Sequence, residues 1–292
     1  MSTHNKQFFL ALLAIYRKAR GFDPATKTDE ICKKFANYME KSGLTGCIIS
    51  VSGGVDSAVV YALAKETQKR YPLIIKKVTP IAQPIHSSQW SLDRAYEMCE
   101  LYDDELKIID QSDIFDLLVD KIDNAIGIKG NKFAQGMLKS YMRTPINYYI
   151  AQLQSQEHCA SLVLGTGNFD EDMYLKYYCK AGDGVVDIQY IHDCHKSEVF
   201  ALGAYLKIPK SILESAPSAD LWEGQEDEIE LDVKYNFIEY YVGYYQTLSP
   251  VEQIELVQSF DKDMYKWFLD NAKTCENIHH KNAHKESCAV NL

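Results

Sequence analysis

The sequence predicts the α/β class: a doubly wound parallel sheet with helices on both faces. Three observations carry that expectation. Short apolar runs rich in β-branched residues alternate with longer stretches of helical spacing between residues 48 and 164. That alternation is the pattern of strands joined by crossover helices. The first run, Ile48-Ile49-Ser50-Val51, leads through Ser52-Gly53-Gly54 into helical spacing, and the last, Leu162-Val163-Leu164, ends in Gly165-Thr166-Gly167-Asn168. Glycine turns at the carboxyl ends of parallel strands are where such sheets bind ligands.

Taken in order, residues 6–20 and 29–42 read as two helices ahead of the first strand, Asp29 capping the second and Gly43 ending it. The first strand and glycine turn follow, then a helix beginning at Ala58. Leu73 to Val78 reads as a second strand, with Pro80 and Pro84 marking the loop that leaves it. Ser91 to Leu101 has helical spacing, Leu106 to Asp110 reads as a third strand, and Ser112 as the cap of a helix running to Ile122. Residues 123–136, glycine-rich and weakly periodic, read as a functional or mobile loop. Thr144-Pro145 has the signature of an N-cap followed by proline at the first helical position, for a helix to about Gln154. The aromatic series Tyr235, Phe237, Tyr240, Tyr241, Tyr244 and Tyr245 mostly follows i, i+4 spacing and reads as core or subunit-interface packing. With no repeats, we expect one domain over 1–292, with N-terminal helices in 1–44 and a flexible tail in 275–292.

Hydrophobic content of 46% and charged content of 25% are ordinary for a globular chain of this length. A net charge of −10 argues against a nucleic-acid partner. Phe8 to Tyr16 imitates the apolar part of a secretion signal but lacks a small-residue cleavage site and runs on into Arg17-Lys18, so a packed helix is expected. No apolar run is long enough to span a membrane. The eight cysteines are scattered with no C-x-x-C pair, which fits a reduced, cytoplasmic protein.

The chemistry begins at Ser52-Gly53-Gly54-Val55-Asp56-Ser57. The first N–H groups of a helix lack partners and sit at the positive end of its dipole, so a phosphate binds there readily. Glycine lets the backbone approach closely, Ser52 and Ser57 carry hydroxyls, and Asp56 can hold a magnesium ion. No lysine follows the glycines, so this is not the loop of kinases and GTPases.

The segment S-G-G-V-D-S resembles the loop of the N-type ATP pyrophosphatases, and with it the fold expectation narrows to a Rossmann-like, adenine nucleotide alpha hydrolase-like sheet. Further motifs sharpen the resemblance: Gly165-Thr166 with Glu171, Lys180-Ala181-Gly182-Asp183-Gly184-Val185-Val186-Asp187, Lys196, Pro217-Ser218-Ala219-Asp220-Leu221 and Asp227-Glu228. In this order, over residues 45–240, they resemble NAD synthetase. The resemblance implies ATP-dependent amidation of deamido-NAD through an acyl-adenylate, with ammonia as donor and AMP and pyrophosphate released. It implies ATP contacts at Ser50, Val51, Ser52, Gly53, Gly54, Val55, Asp56, Ser57, Thr166, Lys196 and Ser218, and magnesium at Asp56 and Glu171. It further implies deamido-NAD contacts at Arg143, Lys180 and Asp187, and Asp183 near the ammonia, with Asp183 and Lys196 in catalytic roles. A homodimer is implied as well. Tyr141 stands where the family carries a second substrate-binding arginine. Of two C-terminal His-Lys pairs, we favour His280-Lys281 over His284-Lys285 as the pair that closes over substrate. The other readings are a different adenylating ligase with the same loop and a non-catalytic nucleotide-binding regulator.

Overall fold

The computed structural model describes residues 2–218 and 225–286; Ala219 to Trp222 of the P-S-A-D-L-W stretch and Cys288 lie outside them. Five parallel strands form one sheet in the order β3-β2-β1-β4-β5: β1 Gly46–Ser50, β2 Lys77–Ala82, β3 Lys107–Ile108, β4 Ser161–Gly165 and β5 Ile188–Gln189. Strand order turns back between β1 and β4, so the turns leaving them diverge and open a crevice. The doubly wound sheet is therefore present.

Strand β1 is buried on both faces, and its side chains divide by alternation. Cys47, Ile49 and Val51 join the core under α3 (Val55–Arg70), whereas Ile48 packs with Ile81 and Ala151 on the opposite face. That opposite face is covered by α6 (Lys132–Gln156), and the first face by α2 (Pro24–Ser42), α3 and α7 (Lys196–Tyr205). A second, aromatic core joins α1 (Thr3–Arg20), α10 (Tyr235–Gly243) and α12 (Lys262–Asn282) around Phe9, Phe237, Tyr240, Tyr241 and Phe268. Phe237 is flanked by Tyr241, Trp267 and Phe268 at 5.2–5.8 Å between ring centroids. The tyrosine series is thus core.

Several boundaries differ from expectation. Helix α2 starts at Pro24, and its cap is Asp23, whose carboxylate accepts from the Thr26 N–H at 2.8 Å; Asp29 instead pairs with Arg70. The second strand lies later than predicted, and Pro80 sits inside it. Ile81 turns its backbone toward β1, its carbonyl accepting from the Val51 N–H. Pro80 therefore faces the β3 side, where pairing begins only at Ile81↔Lys107, and its missing N–H interrupts no ladder bond. Strand β3 is shorter than expected. Helix α5 (Ser112–Ile126) begins at Ser112 rather than being capped by it, with Gln111 before it. Most of the predicted 123–136 loop is helical; Gly127, at φ 73°, ends α5 in the left-handed region, and Asn131 caps α6.

Thr144-Pro145 starts nothing: α6 runs straight through it. The Thr144 hydroxyl donates instead to the carbonyls of Ala181 at 2.9 Å and Gly182 at 3.2 Å, fastening α6 to the K-A-G-D-G segment. The expected flexible tail is helical to Asn282 and buries Cys275 completely.

A carboxylate pair bridged by one lysine

The turn after β1 ties up its own N–H groups, Ser52 donating to Ser57 Oγ and Gly54 to Ser52 Oγ, and leaves uncapped those of the helix that follows. Gly54 is the N-cap of α3 and provides no side-chain cap, so the amides of the helix's first turn point into the crevice. The serine hydroxyls are spent shaping the loop: Ser57 Oγ donates to the Gly54 carbonyl at 3.0 Å and accepts from the Ser52 N–H at 3.1 Å. Only one glycine is demanded by geometry. Gly53 has φ 81°, and a Cβ there would lie 2.2 Å from the Ser91 carbonyl oxygen, in the first turn of α4 (Gln89–Glu100). Gly54, at φ −89°, has no such requirement.

Across the crevice, a seven-residue π-helix, Phe169–Leu175, follows β4 and turns Glu171 toward α3. Asn168, fully buried, joins the two sides. Its amide donates to Asp56 Oδ1 at 3.0 Å, and its carbonyl oxygen accepts from the Glu171 N–H at 3.0 Å. Lys196, the first residue of α7, places Nζ 2.7 Å from both Asp56 Oδ2 and Glu171 Oε1, with its side chain 4% exposed. The Tyr235 hydroxyl donates to Glu171, and Lys196 Nζ stands 5.1 Å from the centre of the Tyr235 ring.

These charges act strongly on one another. Burial opposes the Lys196 charge, yet Asp56 and Glu171 hold its pKa above the usual lysine range, so it stays protonated. Burial raises Asp56 above the usual carboxylate range against the pull of Lys196. Burial works the same way on Glu171, but Lys196 and the hydrogen bonds from Lys196 and Tyr235 bring it below that range. A third carboxylate, Asp227, is pushed up to about 7 by burial and by Glu171. Its Oδ2 accepts from the Tyr235 hydroxyl at 3.4 Å, while its Oδ1 is buried without a hydrogen-bond partner among the described residues.

Behind the site lies a buried relay. Asp170 Oδ1 is 2.6 Å from His195 Nδ1, and Asp170 Oδ2 accepts from the Lys196 N–H at 2.8 Å. His195 Nε2 meets the Tyr16 hydroxyl at 2.9 Å. One face of the π-helix turn therefore grips the backbone of Lys196 while its neighbour Glu171 grips the side chain.

A cleft of about 270 Å³ collects Ser50 to Ser57, Arg143, Thr166, Glu171, Asp183, Lys196 and Ser218. Asp183 accepts from Ser140 Oγ at 3.2 Å, and Arg143 Nε donates to the Gln83 carbonyl at 3.4 Å. Asp187 lies outside the lining, accepting from the Val163 N–H at 2.8 Å and from the Tyr148 hydroxyl at 3.3 Å. Lys180, His280 and Lys281 are not brought to the cleft either; Lys180 Nζ donates to the His284 carbonyl at 3.4 Å. Of the two His-Lys pairs it is His284-Lys285 that meets the K-A-G-D-G approach, Lys285 Nζ donating to the carbonyls of Lys176 and Tyr178. From the sequence alone, Asn168, Asp170, Asp172, His195 and Asp227 carry no role and Tyr235 reads only as packing.

Comparison with known proteins identifies the family. A family model described as NAD synthase matches residues 27–289. An NH(3)-dependent NAD(+) synthetase from Archaeoglobus fulgidus is 37% identical over 212 residues, 71% of this chain and 78% of that one. The protein of the same name from Methanocaldococcus jannaschii is 31% identical over 89% of this chain and 93% of its own. Among solved structures, NMN synthetase from Francisella tularensis superposes with a TM-score of 0.76 at 25% identity, covering 93% of this chain and 99% of that one. The chain belongs to the NAD synthase family.

Proposed function

We infer that this cleft amidates deamido-NAD with ammonia, consuming ATP and releasing AMP and pyrophosphate; its relatives are named NH(3)-dependent NAD(+) synthetases. The observation that carries the reading is Lys196 held between Asp56 and Glu171 at the mouth of the glycine turn. A carboxylate is a poor electrophile and must become an acyl-adenylate before an amine can displace AMP. In the first step the substrate carboxylate oxygen attacks the α-phosphorus and the bond to pyrophosphate breaks. The free amides of α3 receive the departing charge, and Lys196 stabilises the oxygens of the reacting phosphorus. In the second step ammonia attacks the acyl carbon and AMP leaves. Asp183, exposed at the cleft, collects ammonium and takes up its proton.

The residues fit magnesium. Asp56 and Glu171 offer carboxylate oxygens of the hard type this ion prefers, at the place where Lys196 now bridges them. Among the described residues no three side chains form a complete set of ligands, so phosphate oxygens would supply the rest. When bound, the ion neutralises the phosphates in the way a lysine alone cannot. Thr166, Lys196, Ser218 and Ser50 to Ser57 are the ATP contacts we propose, with Arg143 as the contact to deamido-NAD inside the cleft; Lys180 and Asp187, outside its lining, would be reached only by a part of the substrate that extends beyond it, and His284-Lys285 replaces His280-Lys281 as the pair placed to meet it.

A homodimer accounts for an otherwise unpartnered surface. Helix α5 buries only Phe115 and exposes Ile114, Leu117, Ile122 and Ile126, next to exposed Ile128, Phe133, Tyr149 and Leu153. A second copy would cover it. Sedimentation of the Leu117→Lys/Ile122→Lys variant tests this, since the wild type should sediment as a dimer and the variant as a monomer. The seven described cysteines are all free, as expected in the reducing cytoplasm we assign to the protein; no described helix is long and apolar enough to cross a membrane.

The deciding assay is pyrophosphate release from ATP at several ammonium concentrations, with deamido-NAD present or withheld. Release that requires deamido-NAD and ammonium together is the expected result; release without either substrate sinks the reading. The Francisella neighbour favours running the mononucleotide acid in parallel, because its name gives NMN as product.

A further inference from the structure

Helix α1 reaches the back of the cleft from outside the stretch that the family model matches, which begins at residue 27. Its Tyr16 puts a hydroxyl 2.9 Å from His195 Nε2, and its Arg20 pairs with Glu198, whose carboxylate accepts from the His195 N–H at 2.9 Å. His195 is the N-cap of α7 and Lys196 its first residue, so both contacts meet the end of the helix that carries the lysine. The contact from the other side comes from the π-helix, Asp170 lying 2.6 Å from His195 Nδ1 and accepting from the Lys196 N–H at 2.8 Å. With Nδ1–H donated to that carboxylate, Nε2 is left to accept from the Tyr16 hydroxyl.

The molecule makes room for this arrangement. Asp170 is 0% exposed and His195 1%. The imidazole stands edge-on between the rings of Phe169 and Tyr16, 5.2 and 6.0 Å away between centroids. Gly243, the last residue of α10, is needed beside them, since a Cβ there would lie 2.1 Å from the Tyr16 hydroxyl oxygen and 2.8 Å from Nε2. Fold stability alone does not call for such a cluster, because apolar side chains of similar volume often serve a core as well as buried charged groups do. What the cluster supplies is a fixed origin for Lys196. The first N–H groups of a helix have no partner within it, and helix ends fray. Here the N–H of the first residue is bound from outside, on the residue whose ammonium must meet two carboxylates at 2.7 Å.

We propose that Tyr16, His195 and Asp170 are positioning residues for Lys196, fixing the first turn of α7 so that the ammonium meets the oxygens of the reacting phosphorus as charge develops on them. The lysine's contact is then strongest in the transition state, and loss of its position falls on kcat rather than on KM for ATP. This rests on the adenylating reaction assigned to the cleft.

The experiment uses the full chain carrying His195→Phe, which keeps a ring and removes both nitrogens, and His195→Asn, whose amide still donates to Asp170 from near the position of Nδ1. A displacement of about 1 Å at a reacting site costs up to roughly 100-fold in rate. His195→Phe should lower kcat for pyrophosphate release at least about tenfold while KM for ATP stays within about twofold, and His195→Asn should recover most of that loss. Tyr16→Phe, which deletes one oxygen, should show the same split at about threefold in kcat. Hydrogen exchange at the Lys196 amide should be fast in His195→Phe and slow in wild type and His195→Asn. A wild-type kcat in His195→Phe or Tyr16→Phe, equal losses in the two His195 variants, or kcat and KM for ATP changing together overturns the proposal. If His195→Phe does not fold, Tyr16→Phe carries the same test. Failure of the underlying reaction looks different: wild type too releases no pyrophosphate with deamido-NAD and ammonium, and amide exchange still decides whether the clamp exists.

Discussion

Replacing Lys196 by methionine isolates the interaction on which the site is built. The ammonium lies 2.7 Å from two carboxylates whose side chains are 18% and 16% exposed, and its own side chain is 4% exposed. Methionine keeps the volume and removes the charge, leaving two buried carboxylates facing each other. Breaking a buried ion pair from one side costs about 3–5 kcal/mol. A 292-residue chain unfolds with an entropy of about 0.6 kcal/mol per kelvin. The melting temperature should therefore fall by about 5–8 °C. The pH dependence gives the sharper test. Burial already raises Asp56, and without Lys196 both carboxylates lose the partner that favours ionisation. A carboxyl whose folded pKa lies above its unfolded one keeps its full contribution below the unfolded value and loses it as pH rises through the folded value. The deficit of Lys196→Met should accordingly be larger at about pH 8 than at about pH 5.5, and Asp56→Asn on top of it should restore part of the loss at the higher pH. Calorimetry at both pH values reads this directly. A variant as stable as wild type at both would show that the lysine does not neutralise the pair.

Gly53→Ala should raise KM for ATP by about tenfold or more and destabilise the fold, because the left-handed backbone costs about 1–2 kcal/mol and the new Cβ displaces the first turn of α4. Gly54→Ala, whose Cβ meets only Ser52 Oγ at 3.4 Å, should be tolerated; equal effects in ATP titrations of the two variants would contradict the assignment. Alkaline unfolding should be cooperative, since burial pushes Tyr16 and Tyr102 up to about 12, and Tyr61, Tyr190 and Tyr235 further still. These raised groups leave stability intact below the unfolded tyrosine pKa of about 10 and erode it as pH climbs above. Tyrosinate absorbance should then appear together with the loss of helical circular dichroism, and gradual titration with the helices intact would refute it.

What could be read from the chain follows the range of the interactions involved. The β1 turn was legible because strand, glycine and helix signals lie within one short stretch, and Lys196 because motif order singled it out. Thr144-Pro145 misled because its local signature is that of a helix start, while the contact that uses the threonine comes from residues 181 and 182. Pro80 misled because whether a strand tolerates proline depends on which neighbour its backbone faces. The π-helix has no local signature, and the relay of Tyr16, Asp170 and His195 joins residues that only the fold brings near. The chain's own substitutions are equally silent in isolation, Tyr141 being 41% exposed and outside the cleft lining.

The ladder between β1 and β4, with Gly46 opposite Ser161, has a consequence for synthesis. A ribosome must deliver more than half of the polypeptide before the middle strand of the sheet acquires its second neighbour. Until then one flank of β1 stays open, with its apolar residues available to any passing extended segment. Closing so long a loop is slow, so premature termination ahead of Ser161 should yield material that clumps rather than a smaller soluble protein.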